Sequence, residues 1–150
     1  MIEFYLDADA CPVREEAYKV ADRHQLVVHV VTAGNVRVPR DPRVRLILVQ
    51  AGPDAADDWI AERIQPGDIC VTSDIPLASR CLKAGGRALG PSGRRFTPDN
   101  IGEALASREI SQHLRELGEL GGGPRPLAQR DRSRFLDALE QLVQASKRSV

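Results

Sequence analysis

Pro66-Gly67-Asp68-Ile69-Cys70-Val71-Thr72-Ser73-Asp74-Ile75-Pro76-Leu77 holds a turn, a whole strand and the start of a helix. Pro66-Gly67 is a turn dipeptide, and the run Asp68–Thr72 reads as a short strand. Pro76 suits a first helical turn, where a missing N–H removes no hydrogen bond. Leu77, Cys81 and Leu82 continue at helical spacing, and Gly85-Gly86 closes that helix. A strand that passes straight into a helix, with a carboxylate at the junction, is the repeating unit of α/β proteins.

The flanking sequence repeats this alternation. Arg87-Ala88-Leu89 reads as a short fifth strand. At the start of the chain, Ile2, Phe4 and Leu6 mark a strand ending at Asp7. Pro12 opens a helix whose apolar stripe is Val13, Ala17, Val20 and Ala21. Gln25 to Val31 is nearly continuous in apolar residues, as expected of a strand covered on both faces. Gly34-Asn35, Pro39 and Pro42 mark the link to a third strand at Val44–Gln50. That link is short for a parallel crossover, so this pairing is the least determined. Gly52-Pro53-Asp54 breaks the strand, and Asp54 is placed to cap a helix carrying Trp59, Ile60 and Ile64.

From Pro98 the pattern is helical through Ile101, Leu105, Ile110, Leu114 and Leu117. Gly121-Gly122-Gly123-Pro124 with Pro126 forms a loop or hinge, and a last helix carries Phe135, Ala138, Leu139, Leu142 and Val143. The expected architecture is a three-layer α/β sandwich around a mostly parallel sheet. It is read as a single domain over 1–150, with a core over about 1–92 and a helical C-terminal extension over about 93–150. The leucine spacing of that extension suits a sheet cover, a dimer face or a lid equally, and leaves the oligomeric state open.

A chain of 150 residues and 16.4 kDa fits one compact domain. Its longest apolar runs are a few residues, against the ~20 of a membrane span. Met1-Ile2-Glu3-Phe4 has no basic region ahead of a long apolar stretch, so no signal peptide is expected. Cys11, Cys70 and Cys81 form no CxxC pair, which argues against a disulfide framework or zinc knuckle and for a cytoplasmic setting. Net charge is zero, yet residues 1–75 hold thirteen acids and eight bases, and residues 76–150 the reverse. An acidic centre beside a basic surface suits polyanions, and chance segregation of charge produces the same numbers.

Asp7 and Asp9 follow the first strand and Asp74 follows the fourth, at the carboxyl ends where open α/β sheets bind ligands. Asp57 and Asp58 begin the helix leading into the fourth strand. Converging carboxylates repel, by roughly 4 kcal/mol for a pair about 4 Å apart at an effective dielectric of 20. A divalent cation relieves this, and an oxygen-only donor set suits Mg²⁺ or Mn²⁺. Asp54 reads as a helix cap and Asp68 as a turn residue. Thr72 and Ser73 place hydroxyls near the crevice, or simply close the strand end.

Asp7-Ala8-Asp9-Ala10-Cys11-Pro12, Ala51-Gly52 with Ala56-Asp57, and Val71-Thr72-Ser73-Asp74-Ile75-Pro76-Leu77-Ala78 resemble the YaiI/YqxD family of uncharacterised bacterial proteins. Arg37-Val38-Pro39, Gly122-Gly123-Pro124 and Asp131-Arg132 extend the resemblance over nearly the whole chain. That family is similar to PIN-like nuclease domains over roughly the first ninety residues. The resemblance implies a PIN-like fold with Asp7, Asp57 and Asp74 as metal ligands, and Asp9 and Asp58 beside them. PIN nucleases commonly add an acid in the middle helices, and no counterpart is placed here. The implied activity is hydrolysis of phosphodiester bonds, in RNA for preference, with one or two Mg²⁺ or Mn²⁺ ions. Asp7, Asp9, Asp57 and Asp74 then form the catalytic set, and Asp58 completes the metal shell or orients water.

Eighteen of the 21 basic residues are arginine. Arg94-Arg95 and the group Arg130, Arg132 and Arg134 are candidates for contacts to a nucleic-acid backbone, or form an ordinary solvated face. Cys11 reads as structural, Cys70 and Cys81 as core residues. His24, His29 and His113 are scattered and receive no catalytic role. Two rival readings remain. One is a phosphatase of the haloacid dehalogenase type, with Asp7 as nucleophile and Asp9 as general acid/base. The other is a non-catalytic module that binds metal or RNA.

Overall fold

Phe4 and Leu6 pack on one face of a sheet and Tyr5 on the other, as the two-residue period of a strand requires. They belong to β1 (Phe4–Asp7), the centre of the architecture. The computed structural model describes residues 1–52, 54–116 and 127–148. The hinge expected at Gly121-Gly122-Gly123-Pro124 and Pro126, and the core position Leu117, lie outside those residues.

β1 pairs in parallel with β2 (Val28–Thr32) on one side and with β4 (Ile69–Val71) on the other. β3 (Val44–Leu48) adds to β2 and β5 (Arg87–Leu89) to β4, both parallel, and β6 (Arg95–Phe96) runs antiparallel on β5. The order is β3-β2-β1-β4-β5-β6. The chain first winds outward through β2 to β3, then restarts at β4 across β1. The order therefore reverses between β1 and β4, the topological switch point at which such sheets bind ligands.

β2 and β3 are parallel despite their short link, in register from Val28↔Val44 to Thr32↔Leu48. Residues 33–43 contain no helix, and Val36 and Val38 pack against the core along the way. An extended chain covers about 3.3 Å per residue, so this stretch outruns the length of one short strand. A helix is not required for the return.

α1 (Arg14–His24) and α5 (Gln129–Arg148) cover the face presenting Phe4, Leu6, Val28, Val30 and Val71. α2 (Ala55–Arg63) and α3 (Ile75–Lys83) cover Tyr5, Val31 and Cys70 with Ile60, Leu77 and Cys81. α4 (Ile101–Glu116) joins that layer through Ala104, beside Ala78, Ala88 and Phe96. The result is the expected three-layer α/β sandwich. Among the described residues no helix is long and apolar enough to cross a membrane.

Of the three roles open to the helical extension, α5 takes the first and covers the sheet. Phe135, Leu139 and Val143 are fully buried, each contributing ~1.5–3 kcal/mol of apolar burial. α5 runs from the carboxyl end of β1 to the amino end of β4. Nη1 of Arg132 donates to the carbonyl of Pro12 at 3.1 Å, and the Ser146 hydroxyl donates to the carbonyl of Gly67 at 2.8 Å.

Three local readings change. β2 begins at Val28 rather than Gln25, because Gln25 adopts a left-handed conformation (φ 56°) that ends α1. Ile110 is 62% exposed, since α4 makes its buried contact near its start, through Ala104. β6 has no counterpart in the sequence pattern, because two residues carry no readable periodicity. It is formed by a turn in which Gly93 takes φ +89°.

Candidate active site

The switch point gathers carboxylates from three separate elements. Asp7 ends β1 and is buried, and its Oδ2 accepts a hydrogen bond from the Thr72 hydroxyl at 2.8 Å. The same hydroxyl accepts from the backbone N–H of Asp74 at 3.0 Å. Asp74 caps α3, with its Oδ1 accepting from the N–H of Leu77 at 3.2 Å and Pro76 in the first turn. Thr72 thus ties the end of β1 to the start of α3.

Asp57 lies in the first turn of α2, half-buried. Its carboxyl is pushed up to about 7, first by burial, then by the charges of Asp74 and Asp7, by a hydrogen bond with Asp74 and by Asp54. Asp7 is raised as well, by burial foremost, with Asp74 and Asp9 adding to it and the Thr72 hydrogen bond opposing it. These shifts record the convergence of Asp7, Asp57 and Asp74, whose neighbours disfavour three negative charges.

Asp9 and Asp58 turn elsewhere. Asp9 faces the end of β2, where its Oδ1 accepts from the Thr32 hydroxyl at 2.5 Å and its Oδ2 from the N–H of Ala33 at 3.2 Å. The Thr32 hydroxyl in turn accepts from the N–H of Gly34 at 2.9 Å. At or just past the end of each strand flanking β1, a threonine therefore donates to an aspartate at or just past the end of β1 and accepts from the N–H two residues on. The likeness of Thr32-Ala33-Gly34 to Thr72-Ser73-Asp74 was the sequence signal for it. Asp58 is exposed and pairs with Arg80 at 2.8 Å. Asp54 occupies the cap position of α2 without a side-chain cap bond. Asp68 is buried at the turn before β4, accepting from the N–H groups of Glu3 and Gln65, both at 2.9 Å.

Among the described residues, no three His, Cys, Asp or Glu side chains are placed, as they stand, to hold a metal ion. The oxygen-only chemistry of Asp7, Asp57 and Asp74 nonetheless matches Mg²⁺ or Mn²⁺. Oδ1 of Asp7 has no hydrogen-bond partner among the described residues. A cavity of about 380 Å³ lies elsewhere, between α1 and the loop into β3, lined by Tyr18, Lys19, Leu26, Pro39, Arg40 and Val44 among others. It contains none of the switch-point acids.

A family model described as "Uncharacterized BCR, YaiI/YqxD family" matches residues 5–145. The chain belongs to the YaiI/YqxD family. Similar proteins include a UPF0178 protein of Rhodospirillum rubrum, 60% identical over 98% of this chain and 99% of its own length. A UPF0178 protein of Caulobacter vibrioides is 59% identical over 97% and 95%, and one of Rhodopseudomonas palustris is 54% identical over 95% and 90%. No solved structure matches.

Several pieces of the YaiI/YqxD resemblance acquire structural roles. In Asp131-Arg132, the buried Asp131 closes the start of α5, its Oδ2 accepting from the N–H of Ala128 at 2.9 Å. Arg132 ties α5 to α1 through Glu16 at 3.1 Å and through the Pro12 carbonyl. Arg95 is engaged by Gln141. Arg94, Arg130 and Arg134 are exposed, Arg94 lying over the Phe96 ring at 5.1 Å. The Cys11 thiol is buried and pushed up to about 11, chiefly by that burial, which keeps it protonated. Cys70 and Cys81 are buried too. His24 and His29 pair with Glu140 and Glu3, at 2.7 and 2.6 Å, and His113 is exposed.

Proposed function

We propose that this YaiI/YqxD protein is a metal-dependent nuclease of PIN-like type that hydrolyses phosphodiester bonds, RNA being the preferred substrate, in the reducing cytoplasm that three unpaired thiols suit. One observation carries the reading: Asp7, Asp57 and Asp74, from a strand end and two helix starts, crowd closely enough to push the Asp57 carboxyl up to about 7. Carboxylates held so close without a cation partner are costly to the fold, and a binding function is the reason to keep them.

In this reading Asp7, Asp57 and Asp74 hold Mg²⁺ or Mn²⁺. A bound divalent cation lowers the pKa of a coordinated water and neutralises charge building on the phosphate. Thr72 fixes one oxygen of Asp7 and leaves Oδ1 for the ion. The carboxylate oxygens of the trio would hold the ion, whose positive charge would offset the repulsion that raises the Asp57 and Asp7 carboxyls. Asp9 accepts from Thr32 and Ala33 with its two oxygens and adds its negative charge to the trio from beside Asp7. Asp58 is left to its ion pair with Arg80 and has a structural part. The phosphatase alternative asks Asp9 to work as the proton donor beside Asp7, whereas both Asp9 oxygens are engaged toward β2.

The test compares the parent with Asp57→Asn on labelled RNA and DNA, with Mn²⁺ and with chelator. Metal-dependent cleavage in the parent, reduced at least ~100-fold in the variant, is the expected result. Equal cleavage by both proteins would move the activity away from this site. Mn²⁺ binding without turnover on either nucleic acid would leave the non-catalytic module.

A further inference from the structure

We infer that the open edge strand β3 is a self-association surface, and that two copies of this chain pair through it as antiparallel strands about a two-fold axis at Ile47. The inference goes beyond the nuclease reading and stands without it. β3 ends the strand order, so its outer side carries no strand among the described residues. Leu48 is 68% exposed and Leu46 38% exposed, two positions apart and so on one face of that edge. Open backbone groups beside exposed leucines are a template for a further strand.

Two hydrogen bonds fix which backbone groups of β3 are free. The N–H of Val28 donates to the carbonyl of Arg43 at 2.8 Å, and the N–H of Val49 to the carbonyl of Thr32 at 3.0 Å. Along a strand the backbone groups turn to one side and the other at alternate residues. Arg45 and Ile47 therefore face β2, while Val44, Leu46 and Leu48 face outward. The Val44 N–H is already taken, donating to the carbonyl of Asp41 at 3.0 Å. The N–H and carbonyl groups of Leu46 and Leu48 have no partner among the described residues.

These features select a second copy as the occupant, and one register. In an antiparallel pair, outward groups of one strand exchange bonds with outward groups of the other. Setting Leu46 opposite Leu48 of the second copy, twice by symmetry, joins all four open N–H groups to open carbonyls. The exposed leucines then cover one another. Ile47 meets its own counterpart on the axis, on the face where it already packs with Val31 and Ile60. Arg45, the one charge in Val44–Val49, falls opposite Val49 of the second copy. Moving the axis to Leu46 would set Leu48 against Val44, whose N–H is occupied. Moving it to Arg45 would put two like charges directly opposite, which destabilises a pair. The edge is thus complementary to itself in backbone and in side chains. In the joined sheet the two β1 strands lie five spacings apart, about 24 Å, with their carboxyl ends at opposite ends. Each acidic crevice stays complete in its own copy.

The test is sedimentation equilibrium of the full chain over a wide concentration range. The parent is expected to approach a dimer of the 16.4 kDa chain. Leu48→Lys puts a charge at an exposed position and should weaken dimerisation at least ~10-fold, with circular dichroism unchanged. The Leu46 and Leu48 amides should exchange quickly in dilute protein and slowly in concentrated protein. Ile47→Cys should form a disulfide-linked dimer under copper-catalysed air oxidation, because a non-hydrogen-bonded antiparallel pair sets Cα atoms ~4.5 Å apart, within disulfide reach. Arg45→Cys should not. The native thiols of Cys11, Cys70 and Cys81 are buried, so the link reports on the introduced one. A parent that stays monomeric leaves this edge to a strand of another protein or to solvent, and overturns the inference. So does a dimer that survives Leu48→Lys, or one that links through Arg45→Cys instead of Ile47→Cys.

Discussion

The Thr72 hydroxyl donates to Oδ2 of Asp7 at 2.8 Å, and these two residues lie 65 positions apart in the chain. Thr72 is fully buried and its oxygen also receives the Asp74 N–H. One side chain therefore steadies two of the three crowded acids.

Thr72→Val keeps the shape of the side chain and removes both hydrogen bonds. It strands a carboxylate oxygen and a backbone N–H, which should cost about 1–3 kcal/mol in denaturant unfolding. Thr72→Ser retains the hydroxyl and should recover most of the polar loss. Loss of the Thr72 bond should raise the Asp7 carboxyl further, a change readable by carboxyl NMR, because that bond is what opposes its upward shift.

Asp57 makes stability depend on pH in a defined direction. Its folded carboxyl is pushed up to about 7 from an ordinary 3.8, so between those values the native state binds more protons than the unfolded chain. Stability from this group is fully present below about 4 and is lost as pH rises through 7. Asp57→Asn should raise the melting temperature at pH 8, by a few degrees for ~1 kcal/mol after allowance for solvent screening. At pH 4 it should do little. If the trio takes Mn²⁺, adding that ion at pH 8 should stabilise the parent and leave the variant unmoved in calorimetry.

Gly93 joins the β5–β6 turn to α5 in a backbone state that other residues resist. At φ +89°, with the carbonyl carbon of Arg134 2.9 Å from a would-be Cβ, alanine is excluded both by conformation and by space. Gly93→Ala should destabilise the fold by at least ~1 kcal/mol in denaturant unfolding.

Much of the frame was legible in local sequence. Phe4-Tyr5-Leu6-Asp7 and Ile69-Cys70-Val71-Thr72 carry their strand pattern openly, and Pro76 with Gly85-Gly86 brackets α3. Asp7 and Asp74 could be placed at the same sheet edge because each directly follows a strand. The errors fell where the deciding contact is not local. Gln25 joins an apolar run and yet ends α1, and Ile110 continues a leucine spacing on a helix whose packing has already ended.

Which of two adjacent acids enters the crevice was beyond local patterning. Asp57 and Asp58 differ by one helical step of about 100°, and only the placement of α2 against α3 sends Asp57 toward Asp74 and Asp58 toward Arg80. Likewise Arg132 is drawn to α1 while Arg130 and Arg134 stay exposed, since packing selects one face of α5. Residue type and periodicity act over a few neighbours, so they settle the strands, the helices and the carboxyl-end position of the acids. Strand order and helix rotation are settled by burial of whole faces against one another. That burial sets β4 beside β1, and so brings Asp74 to Asp7.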